Sequence, residues 1–115
     1  MIEKREWRRI DINLSALARP AASLDGCFKV EIVNINPQGF CLTCDREFAL
    51  KERLELTVEL QGTGLARLMT EVAWSGFLQK EKAYLTGVKV IATDQEECEK
   101  FIKFYNLKIL CAPSS

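Results

Sequence analysis

The stretch Phe28-Lys29-Val30-Glu31-Ile32-Val33-Asn34-Ile35-Asn36-Pro37-Gln38-Gly39 decides the fold. Phe28, Val30 and Ile32 alternate with Lys29 and Glu31, the period of a strand with one face buried. The phase breaks at Val33. Simple continuation of the pattern puts Asn34 on the face of Phe28, Val30 and Ile32. A bulge near Ile32 and Val33 instead turns Asn34 and Asn36 outward, beside Lys29 and Glu31. Pro37-Gln38-Gly39 then reads as a tight turn, with proline fixing its own φ and Gly39 free to take a positive one. Phe40-Cys41-Leu42-Thr43-Cys44 returns as the second arm of a hairpin.

Outward from this hairpin the same grammar continues. Ahead of it, Ile10 to Leu14 alternates as a strand, Arg19 to Ser23 reads as a loop, and Asp25-Gly26 is a turn signal. Behind it, Asp45 to Lys51 is a polar connection and Leu54 to Leu60 is the cleanest alternating strand of the chain. Gln61 to Gly64 is a turn, Leu65 to Trp74 a long strand with Trp74 expected in the core, Ser75 to Lys82 a polar connection, and Tyr84 to Ile91 the last strand. The period then changes: Cys98, Phe101, Ile102 and Tyr105 stand at i, i+3, i+4 and i+7 of an amphipathic helix. Thr93 and Glu96 have the form of a capping box, Asp94, Glu96 and Glu97 suit the positive end of the helix dipole, Lys103 suits the other, and Asn106 is a plausible stop. Short strands followed by one helix predict a mostly β domain, a small antiparallel barrel or sandwich with the helix packed on it. Phe101, Ile102, Phe104 and Tyr105 then cap the core. The expected division is a basic arm over residues 1–9, a barrel domain over 10–110 with a helix about 94–105, and a tail over 111–115.

The bulk numbers fit one domain of 115 residues, long enough to bury a core without metals or disulfides. Sixteen basic and sixteen acidic residues give no net charge, which argues against broad nucleic-acid binding but leaves room for a small anion held by a local cluster. No segment has the form of a signal peptide and none approaches the about 20 apolar residues of a membrane span, so the expected setting is cytoplasmic, with the five cysteines reduced. The chain has no histidine, no Walker loop and no nucleophile elbow, and no carboxylate pair stands out, so catalysis is not expected. Cys41-x-x-Cys44 lacks a second pair of ligands for zinc, and on a strand its two thiols face opposite ways. A metal or redox enzyme built on this pair is the weaker alternative; the expectation is no metal and no cofactor.

One cluster remains. Lys4-Arg5-Glu6-Trp7-Arg8-Arg9 stands just ahead of the first strand. Arginine presents a planar fork suited to phosphate and guanine edges, and an indole offers a stacking face. Arg5 and Arg9 form Arg-x-x-x-Arg, and Asn34 to Gly39 forms Asn-x-polar-x-x-Gly at a strand end. This pairing resembles the PilZ domain family, whose pattern is Arg-x-x-x-Arg followed by Asp or Asn, x, Ser, x, x, Gly. Val72-Ala73-Trp74, Leu85 to Val90 and the terminal helix are also similar to that family's closing segment, so the resemblance spans roughly residues 4 to 106. Asn36 stands where the family has serine.

The resemblance implies a six-stranded antiparallel β-barrel with a C-terminal helix, a bacterial signalling role without catalysis, and cyclic di-GMP as ligand on the outside of the barrel. It implies Arg5, Arg9, Asn34, Asn36 and Gly39 as ligand-binding residues, with Lys4, Trp7 and Arg8 secondary. The partners implied are cyclic di-GMP and a downstream protein, with no nucleic acid and no membrane. The alternative is a degenerate PilZ-like module that binds protein and no nucleotide, for which the serine-to-asparagine change is the support. A structural barrel with a charged tail is the bland third reading.

Overall fold

The computed structural model describes residues 10–21, 26–36, 38–60, 62–91 and 94–111, with side chains as far as Lys108. Six strands, β1 (Ile10–Pro20), β2 (Phe28–Asn36), β3 (Gly39–Cys44), β4 (Arg53–Leu60), β5 (Gly64–Leu78) and β6 (Ala83–Val90), precede one helix, α1 (Gln95–Cys111). The strands close into a barrel in the order β1-β2-β3-β6-β5-β4, every pairing antiparallel. Closure leaves the sheet without long free edges, and the inward positions fill the barrel with side chains.

Alternation places Val30 and Ile32, Leu54 to Leu60 at every second position, and Ala66, Leu68 and Val72 inside. The buried Thr70 is satisfied there, its hydroxyl donating to the Leu54 carbonyl at 2.8 Å. One mouth of the barrel is covered by α1, where Phe101 meets Phe40 edge-on with ring centroids 5.0 Å apart. Burying Phe101, Phe104 and Tyr105 contributes about 1.5–3 kcal/mol per side chain before entropy is counted. Glu97 and Lys100 clamp the same helix to the start of β5: the carboxylate accepts the Arg67 N–H at 2.7 Å and the ammonium donates to the Leu65 carbonyl at 2.9 Å. At the other mouth Phe48 stacks on Phe28, centroids 5.6 Å apart, and the Arg46 guanidinium lies 3.9 Å above the Phe28 ring.

Several expectations need correcting. β1 runs on through Arg19 to Pro20, where a loop was expected; its inward residues there are Ala16, Ala18 and Pro20, too weak in strand propensity to announce themselves. β5 continues past Trp74 to Leu78, because Ser75 to Leu78 pair with Ala83 to Thr86 in a long hairpin. The connection after β3 is not wholly polar, since Phe48 is core. The helix passes through Asn106, which sits on the solvent side and there costs only its propensity, about 0.7 kcal/mol. Its buried stripe is Phe101, Phe104 and Tyr105, whereas Ile102 is 41% exposed. Lys108, not Lys103, lies in the last turn. Asp25, Pro37, Thr93 and residues 112–115, like the whole arm over residues 1–9, lie outside the described residues.

Candidate functional site

The phase break in β2 is a bulge. Ile32 pairs with Leu42 but Asn34 pairs with Cys41, so Val33 is an extra residue relative to β3. The bulge lets Ile32 and Ile35 both point into the core, fully buried, and leaves Asn34 and Asn36 on the outer wall. A second bulge does the same on β5. Val72 pairs with Val88 and Trp74 with Gly87, so Ala73 is extra. Val72 stays inside at 1% exposure while Trp74 is turned out and remains 47% exposed. Trp74 is therefore not a core residue.

The registers join these residues into rows that cross the barrel wall. One row runs Asp11, Asn34, Cys41, Gly87, Trp74 over β1, β2, β3, β6 and β5. The next outward row runs Asn36, Gly39, Lys89, Glu71. Glycine at the centre of each row leaves a dent. An open cleft of about 290 Å3 lies over it, lined by Asn34, Asn36, Gln38, Gly87, Trp74 and Lys89 among others.

Gly39 is required by proximity, not by a positive φ: among the described glycines only Gly26, Gly62 and Gly64 have one. A Cβ on Gly39 would overlap the Val88 carbonyl oxygen and stand 2.8 Å from the Lys89 Cα. A Cβ on Gly87 would overlap the Trp74 indole, which lies across that glycine. Asn36 has a structural duty as well. Its Oδ1 accepts the N–H of Gln38 at 2.8 Å and of Gly39 at 3.1 Å, closing the β2–β3 turn. The Nδ2 end of the amide is left to donate elsewhere.

Of the residues named from the sequence, the fold brings Asn34, Asn36 and Gly39 together at this cleft. Arg5 and Arg9, with Lys4, Trp7 and Arg8, lie outside the described residues. The described chain begins at Ile10, whose partner across β1 and β2 is Ile35, between the two asparagines. Trp74 and Lys89 also line the cleft and were not foreseen. No residue-type signal marks them; only the two registers place them beside Asn34 and Gly39.

Cys41 and Cys44 part as their strand demands. Cys41 is outside the barrel, in the Asn34 row, and Cys44 packs partly against the core. Burial pushes the Cys44 thiol up, and it donates to the Arg46 carbonyl at 3.2 Å, the opposite of a thiolate ready for metal. Among the described residues no group of histidine, cysteine, aspartate or glutamate is placed to hold a metal ion. Among them, too, no helix is long and apolar enough to cross a membrane.

Neither known protein-family patterns nor curated protein sequences match the chain. Solved structures do. The Bacillus subtilis inhibitor of motility, MotI/DgrA, superimposes with a TM-score of 0.77 at 14% identity, covering 98% of this chain and 55% of that one. The K. pneumonia MrkH–c-di-GMP complex gives 0.75 at 14%, covering 96% and 54%. The PilZ domain of Escherichia coli YcgR with c-di-GMP gives 0.65 at 10%, covering 95% of both chains. The chain thus spans about half the length of MotI and MrkH and nearly the whole of the YcgR domain. At these identities the likeness is one of fold: the closed six-stranded antiparallel barrel with its C-terminal helix is a PilZ-like fold.

Proposed function

We propose that this domain is a cyclic di-GMP receptor of bacterial second-messenger signalling, working in the cytoplasm by binding and not by catalysis. One observation carries the reading: Ile10 pairs with Ile35, so the segment bearing Arg5 and Arg9 is tethered beside Asn34 and Asn36 whatever conformation it takes. Arg5 is five residues ahead of Ile10, within about 17 Å along the chain, a reach several times the about 4.8 Å that separates β1 from the neighbouring strand bearing Asn34 and Asn36. The structural neighbours MrkH and the YcgR domain, solved with c-di-GMP, support the same ligand.

In this reading Arg5 and Arg9 grip phosphate or the guanine Hoogsteen edge, and Asn34 hydrogen-bonds a guanine. Asn36 takes the serine position through its Nδ2, and Gly39 lets the ligand approach the backbone. Lys4 and Arg8 add positive charge and Trp7 a stacking face. A hydrogen bond to a charged group contributes about 1.5–3 kcal/mol, against about 1–2 kcal/mol of backbone entropy for each arm residue fixed. Those sums are close enough for the arm to order only when ligand is present. Its ordering would change the surface offered to a downstream protein.

Calorimetric titration with cyclic di-GMP, with another cyclic dinucleotide as control, tests the proposal. Arg5→Ala and Arg9→Ala each abolish measurable binding with the melting temperature nearly unchanged; wild-type-like binding in both variants would refute the arm's role. One observation favours a second reading, a module that binds protein and no nucleotide: the Asn36 Oδ1 is already committed to two turn hydrogen bonds. No heat on titrating the wild-type protein selects that reading.

A further inference from the structure

We propose that the far end of β5 is a docking edge for a second copy of this chain, the two edges pairing antiparallel about a twofold axis at Gly76. The inference goes beyond the receptor reading and does not depend on it. β4 accompanies β5 only as far as Arg53 opposite Glu71. The backbone of Val72 is then taken up by the preceding loop: Lys51 N–H donates to the Val72 carbonyl at 2.8 Å, and Val72 N–H donates to the Glu52 carbonyl at 2.9 Å. Past that point β5 runs on to Leu78 with β6 on one side. Among the described residues no strand lies on the other. An antiparallel strand turns the N–H and C=O of every second residue away from its partner, so this short edge offers a ladder to another strand.

The chemistry of the edge suits its own copy. Val72 to Gln79 holds no charge and no proline, the residues that usually guard an edge, and the bulge at Ala73 protects only its base. Gly76 is exposed, and a Cβ built on it meets nothing within 4 Å, so the middle of the edge is uncovered. Pairing about Gly76 sets Ser75 opposite Phe77 of the second copy and Phe77 opposite its Ser75, a small residue against a large one on both sides of the axis. Phe77, packed on Tyr84 at 4.9 Å between centroids and 51% exposed, gains cover. The ladder ends where Val72 is already bonded. There the tip Lys80-Glu81-Lys82 of one copy, with two cations to one carboxylate, approaches the connection 45–52 of the other, with three carboxylates to two cations. Leu50, 66% exposed, stands on that connection. The twofold repeats this opposite-sign contact at both ends.

Sedimentation equilibrium of the full chain over a range of concentrations, without ligand, tests the proposal together with crosslinking under mild oxidation. Wild type is expected to pass reversibly from one chain to two. Gly76→Lys puts like charges directly opposite at the axis and should weaken self-association by roughly fivefold or more. Space is open there and Gly76 has no positive φ, so an unchanged melting temperature separates lost association from lost folding. Opposed residues at the axis have Cα atoms about 4.5–5.5 Å apart, a disulfide distance. Gly76→Cys should therefore crosslink well beyond wild type and beyond Lys80→Cys, whose tip lies far from its own copy. Both results are required. A chain that stays monomeric, leaving the edge to a strand from another protein, overturns the proposal. So does a dimer that Gly76→Lys leaves as tight, or a Gly76→Cys variant that crosslinks no more than the two controls.

Discussion

Asn34 and Trp74 stand in one row across β2, β3, β6 and β5, and each follows directly on a residue that its partner strand does not match. The two bulges are far apart in sequence and have the same consequence: a side chain due to point inward by alternation is delivered to the same outer cleft. Deleting Ala73 leaves Val72 and Trp74 as consecutive residues of a regular strand, which face opposite sides, so the pairing of Val72 with Val88 and of Trp74 with Gly87 is kept and the indole stays on the outer wall. The expected outcome is a folded protein whose indole emission keeps the wavelength of an exposed tryptophan. A blue shift of that emission together with a clear drop in melting temperature would show that the extra residue is needed to hold Trp74 outside.

The two glycines of the cleft should respond differently to the same added methyl. At Gly39 the Cβ meets backbone of β6, the Val88 oxygen and the Lys89 Cα, which cannot step aside without parting the strands. Gly39→Ala is expected to cost about 3 kcal/mol or more, the top of the range for a single substitution. At Gly87 the obstacle is the Trp74 side chain, which can swing away, so Gly87→Ala should cost about 1–2 kcal/mol. Urea melts of the single variants and of Gly87→Ala with Trp74→Ala check this. In the double variant the penalty of the alanine should largely vanish.

Asn36 joins the turn to the site, and substitutions there split the two roles. Asn36→Ala loses both hydrogen bonds to the turn, with an expected cost of about 1–2 kcal/mol. Asn36→Asp keeps the acceptor and should hold the turn, but it brings a negative charge next to a doubly anionic ligand and should weaken cyclic di-GMP binding. Asn36→Ser restores the residue that the family pattern has. A serine hydroxyl can still cap the turn, more weakly, so a small loss of stability with a gain in affinity is the expected pair of results. Chemical denaturation and calorimetry on the same preparations read both.

What the sequence revealed follows from where the periodicity was clean. The β2 bulge was legible because charged Lys29 and Glu31 mark the outer face before the break and asparagines mark it after. The β5 bulge was not, because Val72-Ala73-Trp74 is an unbroken apolar run in which an extra residue leaves no mark. Trp74 was therefore assigned to the core. Phe48 was hidden among Asp45, Arg46, Glu47 and Lys51, where a single apolar residue carries no period. Lys89 looks like any lysine on a solvated strand face; its place beside Gly39 follows from the closing of β3 on β6, a pairing between residues about 50 positions apart along the chain. The arm bearing Arg5 and Arg9 is the strongest compositional signal, and it joins the barrel at Ile10, opposite Ile35.

Glu97 supplies a prediction about pH that is independent of ligand. The Arg67 backbone N–H is the main cause holding its carboxyl below the usual value, with Lys100 adding to the effect over the opposing influence of burial. A carboxyl whose folded-state value is depressed binds a proton less readily folded than unfolded. Its contribution is fully present above the unfolded value, about 4.3, and is lost as pH falls through the folded value. The clamp between α1 and β5 should therefore loosen in acid, below pH about 4, and be insensitive to pH near neutrality. Glu97→Gln removes the titrating group and keeps an acceptor for the Arg67 N–H. Its stability, measured by urea melts from pH 2.5 to 7 in steps of about half a unit, should be lower than wild type near neutrality and fall less steeply below pH about 4. Parallel acid limbs in the two proteins would mean that the hydrogen bond to Arg67 does not couple the helix to protonation.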